Sequence, residues 1–361
     1  MGLWRSQERH RRIAAGRAGR REVALDEKLA FLSRPEAYGG STRRVERIET
    51  HFSFVFLTGE RVYKLKKPLR GNGFDFSRPD LRRKNAEEEA RLNRALSPEV
   101  YLGVVPLTLE EGSRLALGGS GPAIDWLVEM VRLPPPRMLD RRLLEGNWRR
   151  GDIEVLADRL ARFFLQARRL NIAPARHIAR FRAEARASAQ AFEDWGGPAL
   201  AFAARVVVRR VEAFLERRGE ILARRARERR PVDGHGDLRP EHIALGSTPQ
   251  IIDRIEFRAD LRALDPAEEL SFLALECARH GGPQIGRVLF NRYRRRAKDR
   301  LPPALLGFYT VMAALIRARL AIRHLAGKTR EDPRVWRERA AEYLALANKE
   351  ARRVAFTGKR G

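Results

Sequence analysis

One cysteine, Cys277, is all the chain has among 361 residues. No intrachain disulfide can form, and a reducing compartment suits it. Long hydrophobic runs are missing too. The longest, Leu305 to Ile316, covers twelve residues and includes Gly307, Tyr309 and Thr310. It falls short of the roughly 20 residues that cross a bilayer, so it reads as a buried helix. No secretory h-region appears near the first residues. These absences point to a cytoplasmic chain with no membrane partner. Hydrophobic residues still make up 43% of the sequence, too many for a disordered protein. The length suits one large domain or two modest ones.

Acidic residues are scarce: 46 Asp and Glu against 73 Lys and Arg, a formal charge of +27. Residues 1–22 hold seven Arg and two Glu, a net of +5, so +22 belongs to the remainder. They read as a flexible basic extension outside the fold. Basicity spread over the whole chain favours an anionic partner such as a nucleotide, a phosphorylated substrate, RNA or acidic lipid. The arginines are dispersed along helices rather than gathered with aromatics, which argues against a nucleic-acid stacking platform.

Periodicity divides the rest. Val23 to Leu32 has helical spacing, stopped by Pro35 and Gly39-Gly40. Val45 to Leu57 alternates up to a Thr58-Gly59 turn, and Arg61 to Leu65 follows, which together read as a hairpin. Its second strand puts Lys64 and Lys66 on one face. Pro79 to Leu96 is a strong helix former with Asp80 near its start. On it, Glu89 lies seven residues before Leu96, which turns Glu89 inward, while Glu87 suits a solvated face. Val104 to Leu109, Arg114 to Leu117 and Ala123 to Leu133 read as strands, enough for a five-stranded antiparallel sheet. Pro134 to Pro136 then stiffen a link where the boundary between two lobes is expected. Beyond it the chain is almost wholly helical, with Asp265 a good N-cap before Pro266. The expected fold class is α+β: an N-terminal lobe at residues 23–133 and a helical lobe at 134–361.

One stretch interrupts the helices. Val232 to Phe257 reads V-D-G-H-G-D-L-R-P-E-H-I-A-L, a polar link, then Q-I-I-D-R-I-E-F. Two short apolar runs separated by Gly246 to Pro249 predict a small hairpin. Asp237 enters it and Asp253 ends it, so two carboxylates can converge on one site. One acid near a hydroxyl and a second holding a metal suit phosphoryl transfer.

H-G-D-L-R-P-E-H stands where a protein kinase reads H-R-D-L-K-P-E-N. The segment resembles the aminoglycoside-phosphotransferase-like branch of the protein-kinase-like superfamily. F-L-S-R-P-E-A-Y, V-E-R-I-E-T-H-F-S-F-V-F-L and V-Y-K-L-K-K-P also look like a bacterial family of uncharacterised members of that branch. Some of those carry an extra ATPase domain with a Walker loop. No G-x-x-x-x-G-K-[ST] occurs here, so the stand-alone form is expected.

The resemblance implies a two-lobe protein-kinase-like fold. It implies ATP and Mg²⁺ as cofactors and a small-molecule hydroxyl as acceptor. It makes Asp237 the catalytic base or hydroxyl-orienting acid and Asp253 the main metal ligand. Lys64 would contact the nucleotide phosphates, with Lys66 the same-face alternative, and Glu89 would hold the lysine. Backbone around Met130 would meet the adenine. The phosphate loop, Glu49 to Ser53, has no glycine, so Thr50 and Ser53 would serve. His235 would be structural. His242 departs from the family's Asn, and a nitrogen ligand suits Mg²⁺ less well than oxygen. Arg317 and Arg319 would meet an anionic acceptor or lie on a solvated helix face. Two other readings stay open: a nucleotide-binding pseudokinase or scaffold, and a basic nucleic-acid-binding protein.

Overall fold

The structure is a computed structural model that describes residues 23–40, 42–71, 73–327 and 332–356. The basic segment at 1–22 lies outside the described residues. The chain forms two compact units. Among the described residues, the first comprises 23–71, Asp75–Glu87 and Leu102–Arg132, and the second 73–74, Glu88–Tyr101 and 133–356.

The first unit contains helix α1 (Leu25–Leu32) and a sheet of strands β1 (Glu46–Glu49), β2 (Ser53–Leu57), β3 (Arg61–Lys66), β4 (Tyr101–Leu109), β5 (Leu115–Leu117) and β6 (Ala123–Val131). Its order is β1-β2-β3-β6-β4-β5, six strands where five were expected. The extra one arises because Val45 to Leu57 doubles back on itself, pairing Glu46 with Leu57 and Glu49 with Phe54. Thr50 makes that turn. Its hydroxyl donates to the Ser53 carbonyl at 2.9 Å and accepts the Ser53 N–H at 3.0 Å. Alternation of Phe54, Phe56 and Leu65 buries one sheet face with Leu29, Leu32, Leu107 and Leu127. Below it Asp125, 2% exposed, receives Lys28 at 2.8 Å and both nitrogens of an Arg82 fork at 2.8 and 2.7 Å. Each buried charge here has a partner, without which it would be costly.

Helix α2 (Pro79–Asn93) gives its first turns to the first unit and its last to the second. The second unit continues with α3 (Leu139–Leu144), α4 (Arg150–Gln166), α5 (Pro174–Trp195), α6 (Gly197–Arg227), α7 (Pro266–Arg279), α8 (Ile285–Ala297), α9 (Pro303–Arg323) and α10 (Pro333–Phe356). Four two-residue strands lie among them: β7 (Val232–Asp233), β8 (Ile243–Ala244), β9 (Gln250–Ile251) and β10 (Ala263–Leu264).

The twelve-residue run read from the sequence belongs to a longer helical segment. Pro303–Ala326 spans 24 residues, and its most apolar window has mean hydropathy 1.6, long and apolar enough to cross a bilayer by length and composition. Here 67% of its most apolar window is buried in the protein core. Phe308 stacks on Phe214 at 4.5 Å and meets Phe181 edge-on at 5.1 Å. Asp265 caps α7 by accepting from Ala267 N–H at 2.9 Å, as its position before Pro266 foretold. It does more. Arg225 forks onto Asp265 and Asp299 together, and the Tyr309 and Tyr293 hydroxyls each donate to one of those carboxylates at 3.1 Å.

Candidate active site

The expected hairpin forms. Ile243 pairs with Ile251 and Ala244 with Gln250, and Ile252 N–H donates to the His242 carbonyl at 2.9 Å. The pairing lays the end of the His-Gly-Asp loop against the residue before Asp253. Gly236 has φ +91°, and a Cβ there would stand 3.2 Å from the Leu261 carbonyl and 3.1 Å from Ile255. Only glycine takes that backbone cheaply in so tight a space. Pro240 opens the single turn Pro240–His242, and Leu238, 1% exposed, anchors the loop in the core.

Asp237, His242 and Asp253 come together. The His242 ring lies between the two acids, Nδ1 3.7 Å from Asp237 Oδ2 and Nε2 3.5 Å from Asp253 Oδ2. Nδ1 also lies 2.9 Å from the Asp237 carbonyl, which can only accept, so the neutral ring carries its proton on Nδ1. Nε2 then offers a lone pair on the Asp253 side, where Arg239 donates at 3.3 Å. Arg239 also pairs with Asp237 Oδ1 at 3.1 Å and Glu241 at 2.8 Å. Asp237 and Asp253 remain reachable, their side chains 32% and 42% exposed.

His235 is structural. Its Nε2 donates to the Ile252 carbonyl at 3.0 Å, and its Nδ1 accepts Asp237 N–H at 3.2 Å. One ring thus ties together the two segments that carry the carboxylates. Burial first, then the neighbouring His242, pushes its pKa down to about 3, so it stays neutral across the physiological range. Asp253 has φ +65°, an unusual backbone for a residue other than glycine. Its N–H is held by the Tyr101 hydroxyl at 3.0 Å. Ser97 grips Ile251 through both backbone groups, at 2.7 and 2.8 Å. The Asn93 carboxamide accepts Arg254 N–H at 2.8 Å. The strain at Asp253 is therefore imposed by three side chains at the end of α2 and the start of β4.

Several of these residues were not singled out from the sequence. Asn93, Ser97 and Tyr101 recur every fourth position, but only Asn93 lies on α2 and Tyr101 begins β4, so that spacing gave no usable signal. Glu269, 3% exposed, accepts the backbone N–H groups of both His235, at 2.9 Å, and Gly236. Burial raises its carboxyl pKa to about 7, the two backbone donors opposing. Arg254, next to Asp253, donates to the Gly234 and Asp233 carbonyls at 2.8 and 2.7 Å.

Glu89 is fully buried on α2, as its spacing required. In the first unit Lys64 is half-buried on β3, in register with Val55 of β2 and Val128 of β6. Lys66 is 3% exposed, with its ammonium 5.9 Å from the Phe76 ring. Thr50 spends its hydroxyl on the β1–β2 turn, and Ser53 is fully buried. Met130 lies on β6 opposite Val62, 6% exposed. Arg317 donates to Glu276 at 3.2 Å, and Arg319 pairs with Glu184 at 2.5 Å. Both arginines already have carboxylate partners.

Among the described residues no group of three or more His, Cys, Asp or Glu is placed to hold a metal. Asp253 with His242 Nε2 is a set of two. The Asp253 carboxylate fits Mg²⁺, which keeps waters and takes one or two carboxylates plus phosphate oxygens from a substrate, while the His242 nitrogen suits it less well. The pair does not fit a resident ion held by protein ligands alone.

A solved choline/ethanolamine kinase family protein from Mesorhizobium loti matches with TM-score 0.54 at 16% identity, over 92% of this chain and 99% of that one. The chain has the protein-kinase-like fold of that structure. Uncharacterised proteins of Mycobacterium tuberculosis and Mycobacterium bovis are 30% identical over 290 residues, 78% of this chain and 55% of theirs. The chain thus spans about half the length of the curated relatives it matches. No family model matches it.

Proposed function

We propose that the chain is an aminoglycoside-phosphotransferase-like kinase that moves the γ-phosphoryl group of ATP to a hydroxyl of a small molecule. The observation that carries this reading is the Asp237–His242–Asp253 cluster, with Asp253 held in left-handed backbone by three outside side chains. Asp253 would hold Mg²⁺ on the phosphate oxygens. Asp237 would orient the acceptor hydroxyl and take its proton. The acceptor oxygen bonds to phosphorus as the bond to the bridging oxygen breaks, and ADP leaves with that electron pair. Positioning and charge stabilisation supply most of such a barrier reduction. Arg239, beside Asp237, is suited to offset the charge of the moving group. The motif order of the sequence assigns Lys64 to the nucleotide phosphates and Glu89 to positioning that lysine. Cytoplasmic location belongs to the same reading.

The test is a screen of hydroxyl metabolites for ATP-dependent phosphorylation, with Asp237→Ala beside the native chain. The expected result is product from the native chain and a loss of orders of magnitude in the variant, with nucleotide binding retained. Transfer undiminished in Asp237→Ala would overturn the assignment. The competing reading is nucleotide binding without transfer, favoured by a nitrogen ligand at His242. It predicts nucleotide binding in every variant and product in none.

A further inference from the structure

The second unit contains a cavity of about 310 Å³ lined by five arginines: Arg91, Arg159, Arg162, Arg168 and Arg254. Its one acid, Asp233, is already taken by Arg254 at 3.2 Å and Arg262 at 2.8 Å. Arg91 is likewise taken, by Glu88 at 2.7 Å. Arg159, Arg162 and Arg168 have no carboxylate within 4.0 Å among the described residues. Arg159 donates to the Leu96 carbonyl at 2.5 Å, and its Nε is buried with no partner among the described residues. Burial, then the charge of Arg162, lowers its pKa, with Glu99 opposing. Arg159 and Arg162 share one face of α4 at a spacing of three, so their proximity is built into the helix.

Cations gathered at this density, with no carboxylate in ion-pair contact with Arg159, Arg162 or Arg168, repel one another, and an entering anion lowers that cost. The cavity is far larger than the roughly 10–15 Å³ that one water needs. It also has apolar wall from Phe163, Leu92 and Leu96. We propose that it binds a small molecule carrying two or more phosphate groups, held by Arg159, Arg162 and Arg168. Nothing in this requires the chain to be a kinase. A ligand there would also touch Arg254, which holds the backbone before His235 and follows Asp253, so occupancy has a direct route to the candidate site.

The experiment is calorimetric titration of the full chain with inorganic pyrophosphate, without divalent cation, at near-physiological salt. Four variants run beside the native chain. Arg162→Glu/Arg168→Glu reverses two exposed cavity arginines. Arg294→Glu/Arg295→Glu makes the same charge change at exposed positions of α8. Lys64→Ala removes the proposed nucleotide-phosphate contact, and Asp253→Ala removes the proposed metal carboxylate as a control. The expected result is one saturable site in the native chain, weakened at least about tenfold in the first double variant and little changed in the other three. Equal weakening in both double variants would reduce the effect to net charge and overturn the proposal. So would loss of binding in Lys64→Ala, which would put pyrophosphate in the nucleotide site. Inorganic phosphate binding as tightly as pyrophosphate would overturn the claim of two bridged phosphates.

Discussion

His242 stands between two carboxylates with its protonated nitrogen spent on a backbone carbonyl, leaving a nitrogen lone pair on the Asp253 side. A hard cation there would prefer oxygen. His242→Asn would place a carboxamide oxygen in that role, and the expected outcome is half-saturation at lower Mg²⁺, read from metal titrations of turnover. An unchanged metal requirement would mean that residue 242 does not touch the ion. A second histidine gives a stability test. His177 is fully buried, with both ring nitrogens lacking partners among the described residues, against Phe181 at 5.3 Å. Replacing an unsatisfied polar ring by an apolar one of similar shape relieves desolvation, so His177→Phe is expected to stabilise the chain by about 1 kcal/mol. A fall in Tm would contradict this.

The His-Gly-Asp loop is governed by helix α7 as an element. Glu269 on that helix holds two consecutive N–H groups of the loop, and a Cβ on Gly234 would fall 2.6 Å from its carboxylate. Gly234→Ala should therefore displace Glu269 and loosen the loop. Gly236→Ala, forced to φ +91°, should cost about 1–3 kcal/mol in thermal unfolding. Protonating Glu269 turns one acceptor into a donor facing an N–H. Activity is thus expected to fall as pH drops below about 7, and Glu269→Gln should be impaired at every pH, without that inflection. A native acid limb retained in Glu269→Gln would assign the inflection elsewhere.

These elements show what the sequence made legible. His-Gly-Asp, the hairpin and the second Asp were readable because turn chemistry and short-range pairing are local. The extra strand at Glu46–Glu49 was not, because one threonine hydroxyl breaks an otherwise continuous alternation. Asn93, Ser97, Tyr101 and Glu269 were missed because their partners lie far along the chain. Asn93 meets Arg254 across 161 positions, and no local pattern announces such a bond.

Across the whole molecule, protons link the candidate site to stability. The pKa values of His235 and His177 are lowered to about 3 and 4, and that of Glu269 is raised to about 7. Between roughly pH 4.5 and 6.5 the unfolded chain binds two more protons at the histidines, while the folded chain binds one more at Glu269. Their sum makes stability rise with pH by about 1.4 kcal/mol per unit. Above about 6.5 the histidines no longer contribute, and Glu269 alone lowers stability up to about 7. Denaturant titrations at stepped pH should therefore show His177→Phe with a flatter slope than the native chain between about pH 4.5 and 6.5. Identical slopes would remove His177 from the linkage.

The central claim is that Asp253 anchors a metal on a bound nucleotide. Its most direct test is titration of a non-hydrolysable ATP analogue, with and without Mg²⁺, into the native chain and into Asp253→Ala. The account predicts that Mg²⁺ tightens binding at least about tenfold in the native chain and has no effect in the variant. A Mg²⁺ effect of equal size in Asp253→Ala would contradict it.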